Sequence, residues 1–384
     1  LMRKKLILQK GSVLRHFYHL KDFRQEIKVK HKLIDIITII ICAVASGAEA
    51  YSEIALYSQC KAEWLKSILE LPYGIPSHDT FERVMRLLNP EEFRKCFLNW
   101  VRGVAKLTNG EIVAIDGKAL RGSRDGEKGA IYMVSAWAKA NGIVLGQMKV
   151  NEKTNEIKAI PELLKILAVK GCIVTIDAIG CQKDITKEIV KKEADYVLSL
   201  KENHPLLYEE VVQYFDSSRK EFFKDISYAY HEEYDKGHGR IERRRYWITE
   251  DIGWLTVKEE WKGLKSIGMT ECSREINGVK TIEVRYHLCS ISQDAKQYAT
   301  AVRGHWGIEN SLHWVLDVVF KEDGSRIRKD HAPENMALVR HVIFNLLKHD
   351  KETKLSMKKK KLKAEWSHDY AMSLVFGDIS GEDE

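Results

Sequence analysis

The chain has 384 residues, of which 44% are hydrophobic, so it can bury a sizeable core and form two or three domains. This length excludes a small scaffold that is held together by disulfides. Its 62 Lys and Arg residues exceed its 55 Asp and Glu residues by seven, a mild excess that permits a polyanionic partner without requiring one.

Cysteine usage and hydropathy indicate a reducing environment away from membranes. The seven cysteines form no Cys-x-x-Cys pair, which favours reduced cytosolic thiols over a disulfide framework or a structural zinc site. The most apolar run, residues 33–45, contains Asp35 and is shorter than the roughly 20 residues that a membrane span needs. The basic start lacks the apolar region of a secretion signal. We expect a cytoplasmic protein without membrane contact, associated with the nucleoid if its partner is DNA.

Residues 1–106 are predicted to be helical throughout, because apolar residues recur there at helical spacing. Asp79 with Glu82 predicts a capping box at the start of one helix. Two interpretations stay open: a helical packing domain without DNA contact, or a helix-turn-helix reader of DNA. In the second, the side chains that face DNA are Ser77, His78, Thr80, Arg83 and Arg86. The predicted helices span 33–45, 51–57 and 62–69, with one starting at Asp79 and another after Pro90.

After residue 110 the pattern changes to short apolar runs, which predict the order strand, strand, strand, helix, strand, helix, strand. Asn141-Gly142 is a signal for a tight hairpin, so the first three strands should form an antiparallel meander. Two runs end in an acid, Asp116 and Asp177, and sites collect at the carboxyl ends of strands in open α/β sheets. The predicted strands are 112–117, 132–138, 143–150, 172–177 and 196–200, and the predicted helices are 157–168 and 183–192.

Residues 201–292 interrupt this pattern with two predicted hairpins, which indicates a strand-rich insertion. The predicted fold class is therefore α/β: a ribonuclease-H-like mixed sheet with a β-rich insertion, preceded by an all-α N-terminal domain. The predicted domains are the helical region 1–106, a catalytic domain at 107–348 and a basic C-terminal segment at 349–384. Its run Lys358–Lys361 is a solvated charge run unless it contacts DNA.

One carboxylate after the insertion, Glu309, stands among aromatic and cationic side chains. From Ile308 onwards, apolar residues recur at helical spacing, so Glu309 should lie at the edge of the buried face of an amphipathic helix. His305, Glu309 and His313 follow at four-residue intervals and should share a face. By itself, this pattern suits a Glu that is merely paired with His313 as well as it suits catalysis.

Asp116, Asp177 and Glu309 together indicate a site for divalent metal ions. Carboxylate oxygens are the ligands that Mg²⁺ and Mn²⁺ prefer, and two ions about 3.5–4 Å apart stabilise both the attacking and the leaving oxygen of a phosphoryl transfer. A single strand-end Asp is more often a cap or a turn former. Acids at the first strand, the fourth strand and a later helix match the ribonuclease-H-like arrangement, so these three are the candidate catalytic and metal-binding residues.

Seven segments, in order along most of the chain, resemble those of the transposases of bacterial insertion sequences. They are Gly74-Ile-Pro-Ser-His-Asp-Thr-Phe81, Ala114-Ile-Asp-Gly-Lys-Ala-Leu-Arg-Gly-Ser123, Asn155-Glu-Ile-Lys-Ala-Ile-Pro161, Val174-Thr-Ile-Asp-Ala-Ile-Gly-Cys-Gln182, Ala194-Asp-Tyr-Val-Leu-Ser-Leu-Lys201, Lys236-Gly-His-Gly-Arg240 and His305-Trp-Gly-Ile-Glu-Asn-Ser-Leu-His-Trp314. The group that the chain resembles is the H-repeat-associated (ISAs-type) family of DDE transposases.

This resemblance implies an activity, a cofactor and partners. Asp116, Asp177 and Glu309 would form the metal-binding triad, with Mg²⁺ or Mn²⁺ as the cofactor. The protein would cleave the ends of an insertion sequence and join them to target DNA. Its partner is then double-stranded DNA, at the terminal inverted repeats of the element and at the target, and we expect a homodimer in the DNA complex.

The sequence departs from a broader related group around the Glu. Many members of that group have a Tyr seven residues before the Glu, an Arg four residues before it and a Lys seven residues after it. In this chain those positions hold Val302, His305 and Leu316. Either His305 or Arg303 could contact a phosphate in place of the missing Arg.

Further candidate DNA contacts are cationic or polar side chains near the acids or in a glycine-flanked turn. For the side chains after the first Asp the alternative is a solvated loop, and for those in the turn it is an ordinary hairpin tip. The candidates are Lys118, Arg121 and Arg124 after the first Asp, His238 and Arg240 in the turn, and Arg303, His305, Asn310 and His313 around Glu309. Three tryptophans of the insertion, at 247, 254 and 261, could stack on an unpaired base, but we favour a buried core position for each.

Two rival functions stay open beside transposition. One is a nuclease of the same fold that cuts DNA without strand transfer, and the other is an inactive remnant that only binds DNA. A nucleotide-binding α/β protein lacks support, because neither Gly-x-Gly-x-x-Gly nor a phosphate-loop pattern follows a strand.

Overall fold

The N-terminal region of the computed structural model consists of helices, as predicted. The structure describes residues 7–9, 12–25, 27, 29–125, 129–150, 155–224, 226–237 and 239–377. Apolar residues surround the second helix on all sides, so it is buried along its whole length. The helices of this region are α1 (Val13–Phe17), α2 (Leu33–Ala45), α3 (Tyr51–Cys60), α4 (Ala62–Ile68), α5 (His78–Leu87) and α6 (Pro90–Val104).

The predicted capping box at Asp79 is wrong. The residue that precedes α5 is Ser77, and its hydroxyl lies 3.2 Å from Thr80 Oγ1, whereas Asp79 lies inside the first turn. Ser and Asp are both common at this position, and the sequence pattern selected Asp79, two residues after Ser77. Asn89, which caps α6, accepts hydrogen bonds from the backbone N–H groups of Glu91 and Glu92.

The central sheet begins with an antiparallel meander and continues with parallel strands. β1 pairs with β2 and β2 with β3 in antiparallel fashion, while β1, β4 and β5 run parallel. Gly142 adopts a φ of +66° in the turn between β2 and β3, as expected for the Asn-Gly hairpin. The elements are β1 (Ile112–Leu120), β2 (Ile131–Ala138), β3 (Ile143–Val150), α7 (Glu156–Ile166), β4 (Ile173–Ile176), α8 (Lys183–Lys191) and β5 (Asp195–Leu200).

The strands of the insertion extend this same sheet. β9 (Val279–Cys289) pairs antiparallel with β5, so the nine strands of the described residues form one sheet in the order β3-β2-β1-β4-β5-β9-β8-β7-β6. The predicted fold class, a ribonuclease-H-like mixed sheet after a helical region, is thereby confirmed. The insertion contains α9 (Pro205–Lys220), β6 (Ala229–Gly237), β7 (Arg240–Thr249), β8 (Ser266–Ile276) and β9 (Val279–Cys289).

The C-terminal third returns to the central sheet as helices. The side-chain amide of Asn345 donates to the carbonyl oxygen of Val144 and accepts from its N–H group, both at 2.8 Å. These hydrogen bonds provide partners for one residue of the edge strand β3. The elements are α10 (Ala295–Ile308), a π-helical turn (Glu309–His313), α11 (Trp314–Val318), α12 (Ala332–His349), α13 (Met357–Trp366) and α14 (His368–Phe376).

Two features of this region bear on predicted DNA contacts. Arg86 of α5 contacts Asp330 at 2.8 Å, which ties α5 to the segment before α12, whereas Arg83 is exposed. The predicted solvated run is wrong for Lys360 and Lys361, which are buried in α13. Their ammonium groups donate to the backbone carbonyls of preceding helices, including Leu347 at 2.8 Å, because these carbonyls lack partners within their own helix.

Candidate active site

Asp116 and Asp177 lie side by side where the parallel pairing of β1 and β4 ends. The register pairs Ile115 with Ile176, and each Asp is the next residue of the chain. Asp177 directly follows β4, whereas Asp116 lies within β1, so the prediction that this strand ends at residue 117 is wrong: its pairing with β2 continues to Leu120. Asp177 Oδ1 accepts hydrogen bonds from the N–H groups of Ile179 (3.1 Å) and Gly180 (3.3 Å), which fixes this carboxylate. The predicted convergence of the two strand-end acids therefore follows from the pairing of their strands.

Helix α10 crosses β1 at close range and brings Glu309 towards the strand ends. Gly304 permits this approach, because a Cβ there would lie 2.6 Å from Ile112 Cγ2. One residue later, His305 Nδ1 lies 3.2 Å from Thr175 Oγ1 on β4. Glu309 itself is exposed at the end of α10.

The electrostatics of Asp116 indicate how near the other acids are. Burial, together with the negative charges of Asp177, Glu309 and Glu156, raises the pKa of Asp116 to about 7. The hydrogen bond from the Gly117 N–H to Asp116 Oδ1 (2.9 Å) acts in the opposite direction, but it does not compensate. A cation at this place would remove the repulsion.

The turn that carries Glu309 differs from the predicted regular helix. Residues Glu309–His313 form a π-helical turn, which changes the direction of the later side chains; such turns are common at functional sites. His313 Nδ1 lies 3.5 Å from Asp116 Oδ2. His313 therefore contacts Asp116, whereas one interpretation of the sequence paired it with Glu309. Burial lowers the pKa of His313 to about 4, so the ring is neutral at pH 7 and cannot balance the carboxylate charge.

The donor set suits a divalent cation in its chemistry, although the side chains do not yet surround one. Asp116, Asp177 and Glu309 supply carboxylate oxygens, and the raised pKa of Asp116 reflects uncompensated negative charge. Within the described part of the chain, no three His, Cys, Asp or Glu side chains are close enough together to hold a metal ion. Binding of an ion therefore requires these side chains to rotate towards one another.

A fourth acid, Glu156, lies beside the three predicted ones. It is the first residue of α7 and is 5% exposed, and a Cβ at Gly117 would lie only 2.3 Å from its Oε1. Sequence reasoning missed Glu156 because an acid in the first turn of a helix usually has a simple electrostatic explanation. The signal that could have identified it is its place in the family segment Asn155–Pro161.

The cationic residues that follow Asp116 have acidic partners. Lys118 Nζ lies within ion-pair distance of three carboxylates, and Arg121 Nε lies 3.4 Å from Asp323. The side chain of Arg121 is 78% exposed, and Arg124 is exposed as well. The phosphate-binding role of these three residues stays a prediction.

The remaining DNA-binding candidates divide between a cleft and the acids. A cleft of about 430 Å³ lies between the insertion strands and α10. Its lining includes Arg240, Arg303, Asn310, Arg244, Arg274, Arg285 and Trp306, and also the acids Asp235, Glu242 and Glu283. The guanidinium of Arg285 lies 5.0 Å from the centre of the Trp306 ring. His305 and His313 instead contact the strands of the acids, and His238 lies outside the described residues.

Two further predictions concern the tryptophans and the membrane. Trp247 and Trp261 are buried, in agreement with the core interpretation, while Trp254 is half-buried and stacks on Tyr214.

Each of the seven cysteines is free. Over the described ranges, no helix combines the length and the apolar character that crossing a membrane requires.

The family of the chain follows from comparison with known proteins. Residues 108–346 match the family described as "Transposase DDE domain", and residues 14–101 match the one described as "DDE_Tnp_1-associated". The "Putative transposase YncI" of Escherichia coli O157:H7 is 42% identical over 358 residues, which cover 92% of this chain and 91% of the relative. The "H repeat-associated putative transposase YhhI" of Escherichia coli K12 is 38% identical over 376 residues, covering 95% and 98%.

A cryo-EM structure of the piggyBac transposase synaptic complex with hairpin DNA has a TM-score of 0.44 and 12% identity, over 98% of this chain and 80% of that chain. A similarity this distant supports no conclusion about the present chain. The sequence matches, in contrast, extend over nearly its whole length. The chain therefore belongs to the DDE transposase family, with the H repeat-associated transposases among its relatives.

Proposed function

We propose that this transposase cleaves the ends of an insertion sequence and joins them to target DNA, with Asp116, Asp177 and Glu309 as the catalytic acids. One observation carries the proposal: Asp116 and Asp177 directly follow the last paired residues of the parallel strands β1 and β4, and the charge of Glu309 acts on Asp116. The family membership adds support, since a transposase DDE domain is matched over residues 108–346.

The proposed cofactor is Mg²⁺ or Mn²⁺, held by Asp116, Asp177 and Glu309. Two such ions would stabilise charge on the attacking and leaving oxygens of the phosphodiester. The chain prepares this site by fixing Asp177 with two backbone N–H groups and Asp116 with one, and these bonds orient their free oxygens. Neutral His313 beside Asp116 leaves the negative charge available for cations.

The proposed partner is double-stranded DNA, bound at the terminal inverted repeats and at the target by a homodimer. The arginine-lined cleft supports this partner, because Asn310 of its lining is adjacent to Glu309. A DNA backbone in the cleft would therefore lie next to the acids. Phosphate contacts of this kind position DNA without reading its sequence.

Strand transfer separates this function from its rivals. The protein would be incubated with pre-cut element ends, supercoiled plasmid and Mg²⁺, and the products would be separated on a gel. We expect joined molecules that contain both the element end and the plasmid. Nicked or linear plasmid without joining would instead identify a nuclease of the same fold. DNA binding without any cleavage would identify an inactive remnant.

A further inference from the structure

Lys118, two residues after Asp116 on β1, is enclosed by acids. Its side chain is 12% exposed, and its Nζ lies 2.7 Å from Asp317 Oδ1, 3.0 Å from Asp323 Oδ1 and 3.2 Å from Glu322 Oε2. Lys118 Nζ donates hydrogen bonds to Glu322 and Asp323, and its contact with Asp317 is an ion pair. Three carboxylates therefore already surround the charge of Lys118 within the protein.

The three acids belong to the segment that directly follows Glu309. Asp317 is in α11, and Glu322 and Asp323 begin the 3₁₀ turn after it. Glu322 is 2% exposed in its side chain, and its other oxygen lies 3.5 Å from the guanidinium of Arg340, which is 4% exposed. These contacts join the strand of Asp116 to the chain segment of Glu309.

A second set of contacts holds the same two segments together. A Cβ at Gly122 would lie 2.1 Å from the carbonyl oxygen of Ser325, so the turn after β1 is pressed against the turn after α11. Arg328 Nε donates to the carbonyl oxygen of Gly122 at 3.0 Å. Contacts at Lys118 and at Gly122 therefore restrict how far β1 can move from the helix of Glu309.

Side chains that bind one metal ion together must be held at a fixed separation. Neighbouring residues that do not bind the ion commonly hold them in place. Asp116 and Asp177 are already fixed by the pairing of their strands, whereas Glu309 arrives from a helix 132 residues after Asp177. The position of Glu309 relative to the two Asp residues therefore depends on the packing of α10 against β1 and β4 before Glu309, and on contacts between β1 and the segment after it. Lys118 makes the most buried of the ion pairs between them.

We propose that Lys118 is a positioning residue: by binding Asp317, Glu322 and Asp323, it fixes strand β1 relative to the helix of Glu309 and so preorganises the metal-binding acids. This inference rests on the proposed function of the three acids. It replaces the predicted phosphate contact of Lys118 by a role within the protein.

The test compares four variants of the full chain with the unaltered protein. Lys118→Met removes the charge and keeps the length, Lys118→Arg keeps the charge, and Asp317→Asn weakens one partner. The matched control is Lys170→Met, whose ion pair with Glu193 (2.7 Å) is exposed and lies before β4, at the opposite end of the strands. The measurements are Mn²⁺ affinity by calorimetry without DNA, thermal unfolding, and the salt dependence of DNA binding.

We expect Lys118→Met to weaken Mn²⁺ binding about tenfold and Asp317→Asn about threefold, since both loosen the placement of Glu309. Lys118→Arg should recover part of the affinity, because its charge is kept although its geometry differs. DNA affinity and its salt slope should stay within twofold of the unaltered protein. Lys170→Met should leave all three measurements unchanged.

Three results would overturn the inference. Weaker DNA binding with a salt slope lowered by about one would identify Lys118 as a phosphate contact. A lower unfolding temperature with unchanged Mn²⁺ affinity would identify a purely structural ion pair. If Lys118→Met does not fold, the comparison of Asp317→Asn with the unaltered protein decides, and unchanged Mn²⁺ affinity there rejects the inference.

A fifth variant, Asp116→Asn, distinguishes a wrong role for Lys118 from a wrong proposed function. If the unaltered protein binds no Mn²⁺, or if Asp116→Asn binds it equally well, both the metal site and the role of Lys118 are wrong. If Mn²⁺ binding is lost in Asp116→Asn but unchanged in Lys118→Met, only the role of Lys118 is wrong.

Discussion

At the residue scale, Asp116 lies in an environment that is unfavourable to its charge. Its side chain is about one-fifth exposed, and it faces Asp177, Glu309 and Glu156 without a charged histidine to offset them. Burial and repulsion therefore raise the pKa of Asp116 from its ordinary value of 3.8 to about 7. Functional sites often contain such groups, because an ion or a substrate supplies the missing charge.

The variant Asp116→Asn should be more stable than the unaltered protein in the absence of metal. A folded-state pKa above the unfolded value costs stability at high pH, so the gain should be fully present above pH 7. One pKa unit corresponds to about 1.4 kcal/mol, so the gain should reach about 4 kcal/mol at most. It should shrink as the pH falls below 7 and disappear below pH 3.8, where both states are protonated. Urea unfolding at several pH values measures it.

The control for this measurement is Asp184→Asn on α8, an exposed acid that pairs with Lys187 within one helix turn. It should change stability little at any pH. A gain for Asp116→Asn that grows towards acidic pH would contradict the assignment of the raised pKa.

A site residue can be predicted from the sequence when the pattern that marks it lies among its neighbours in the chain, and not when it depends on a distant partner. Asp116 and Asp177 each end an apolar run, which is visible in a few neighbouring letters. Lys118 looked like a phosphate contact for the same local reason, the nearby acid. Its partner Glu322 stands 204 residues later, and no local pattern links the two.

At the scale of elements, the apolar runs predicted most strands and helices but missed helix α9 (Pro205–Lys220) in the insertion. The geometry of the Glu309 helix could not be predicted either. Apolar spacing indicates which side of a segment is buried, whereas a π-helical turn depends on how the two ends of the helix pack. Leu312 and Leu316 are both buried, as the helical pattern required, although α10 and α11 are separated by this turn. Gly304 in α10 is the residue that decides how near the helix comes to β1.

Gly304→Ala should destabilise the protein by about 1–3 kcal/mol, because the added methyl group overlaps the side chain of Ile112. Thermal or urea unfolding measures this. The matched control is Gly103→Ala in α6, where a Cβ meets no atom within 4 Å and should raise helix stability by about 0.5–1 kcal/mol.

Combining Gly304→Ala with Ile112→Ala removes the overlapping atoms, so the two costs should be less than additive. Equal effects of Gly304→Ala and Gly103→Ala would show that the close approach of α10 and β1 is not needed.

At the scale of the whole molecule, the insertion lengthens the sheet and builds one wall of the arginine-lined cleft. The hairpins of the insertion were predictable from alternating residues and Asn277-Gly278. The pairing of β5 with β9 was not, because it joins Leu198 to Leu288 across the whole insertion. This pairing places the cationic strands β7 and β8 opposite α10, near the end of which Glu309 lies.

If DNA lies in this cleft, Arg240→Gln should lower the salt slope of DNA binding by about 0.9, the value for one phosphate contact on B-DNA. Arg240 suits the test because its only ion pair in the described structure, with Glu242 at 3.5 Å, is long and its side chain is 47% exposed. The measurement is DNA affinity at several salt concentrations. Lys191→Gln, an exposed lysine on α8, serves as the control. Equal slopes for both variants would place the DNA elsewhere.

The most direct test of the three acids is Mg²⁺-dependent nicking of DNA that carries the ends of the element. Asp116→Asn, Asp177→Asn and Glu309→Gln should each abolish nicking while DNA binding stays within a few-fold of the unaltered protein. Asp184→Asn should nick at the full rate. Retained nicking in any one of the three variants would contradict the assignment of these acids as the catalytic centre.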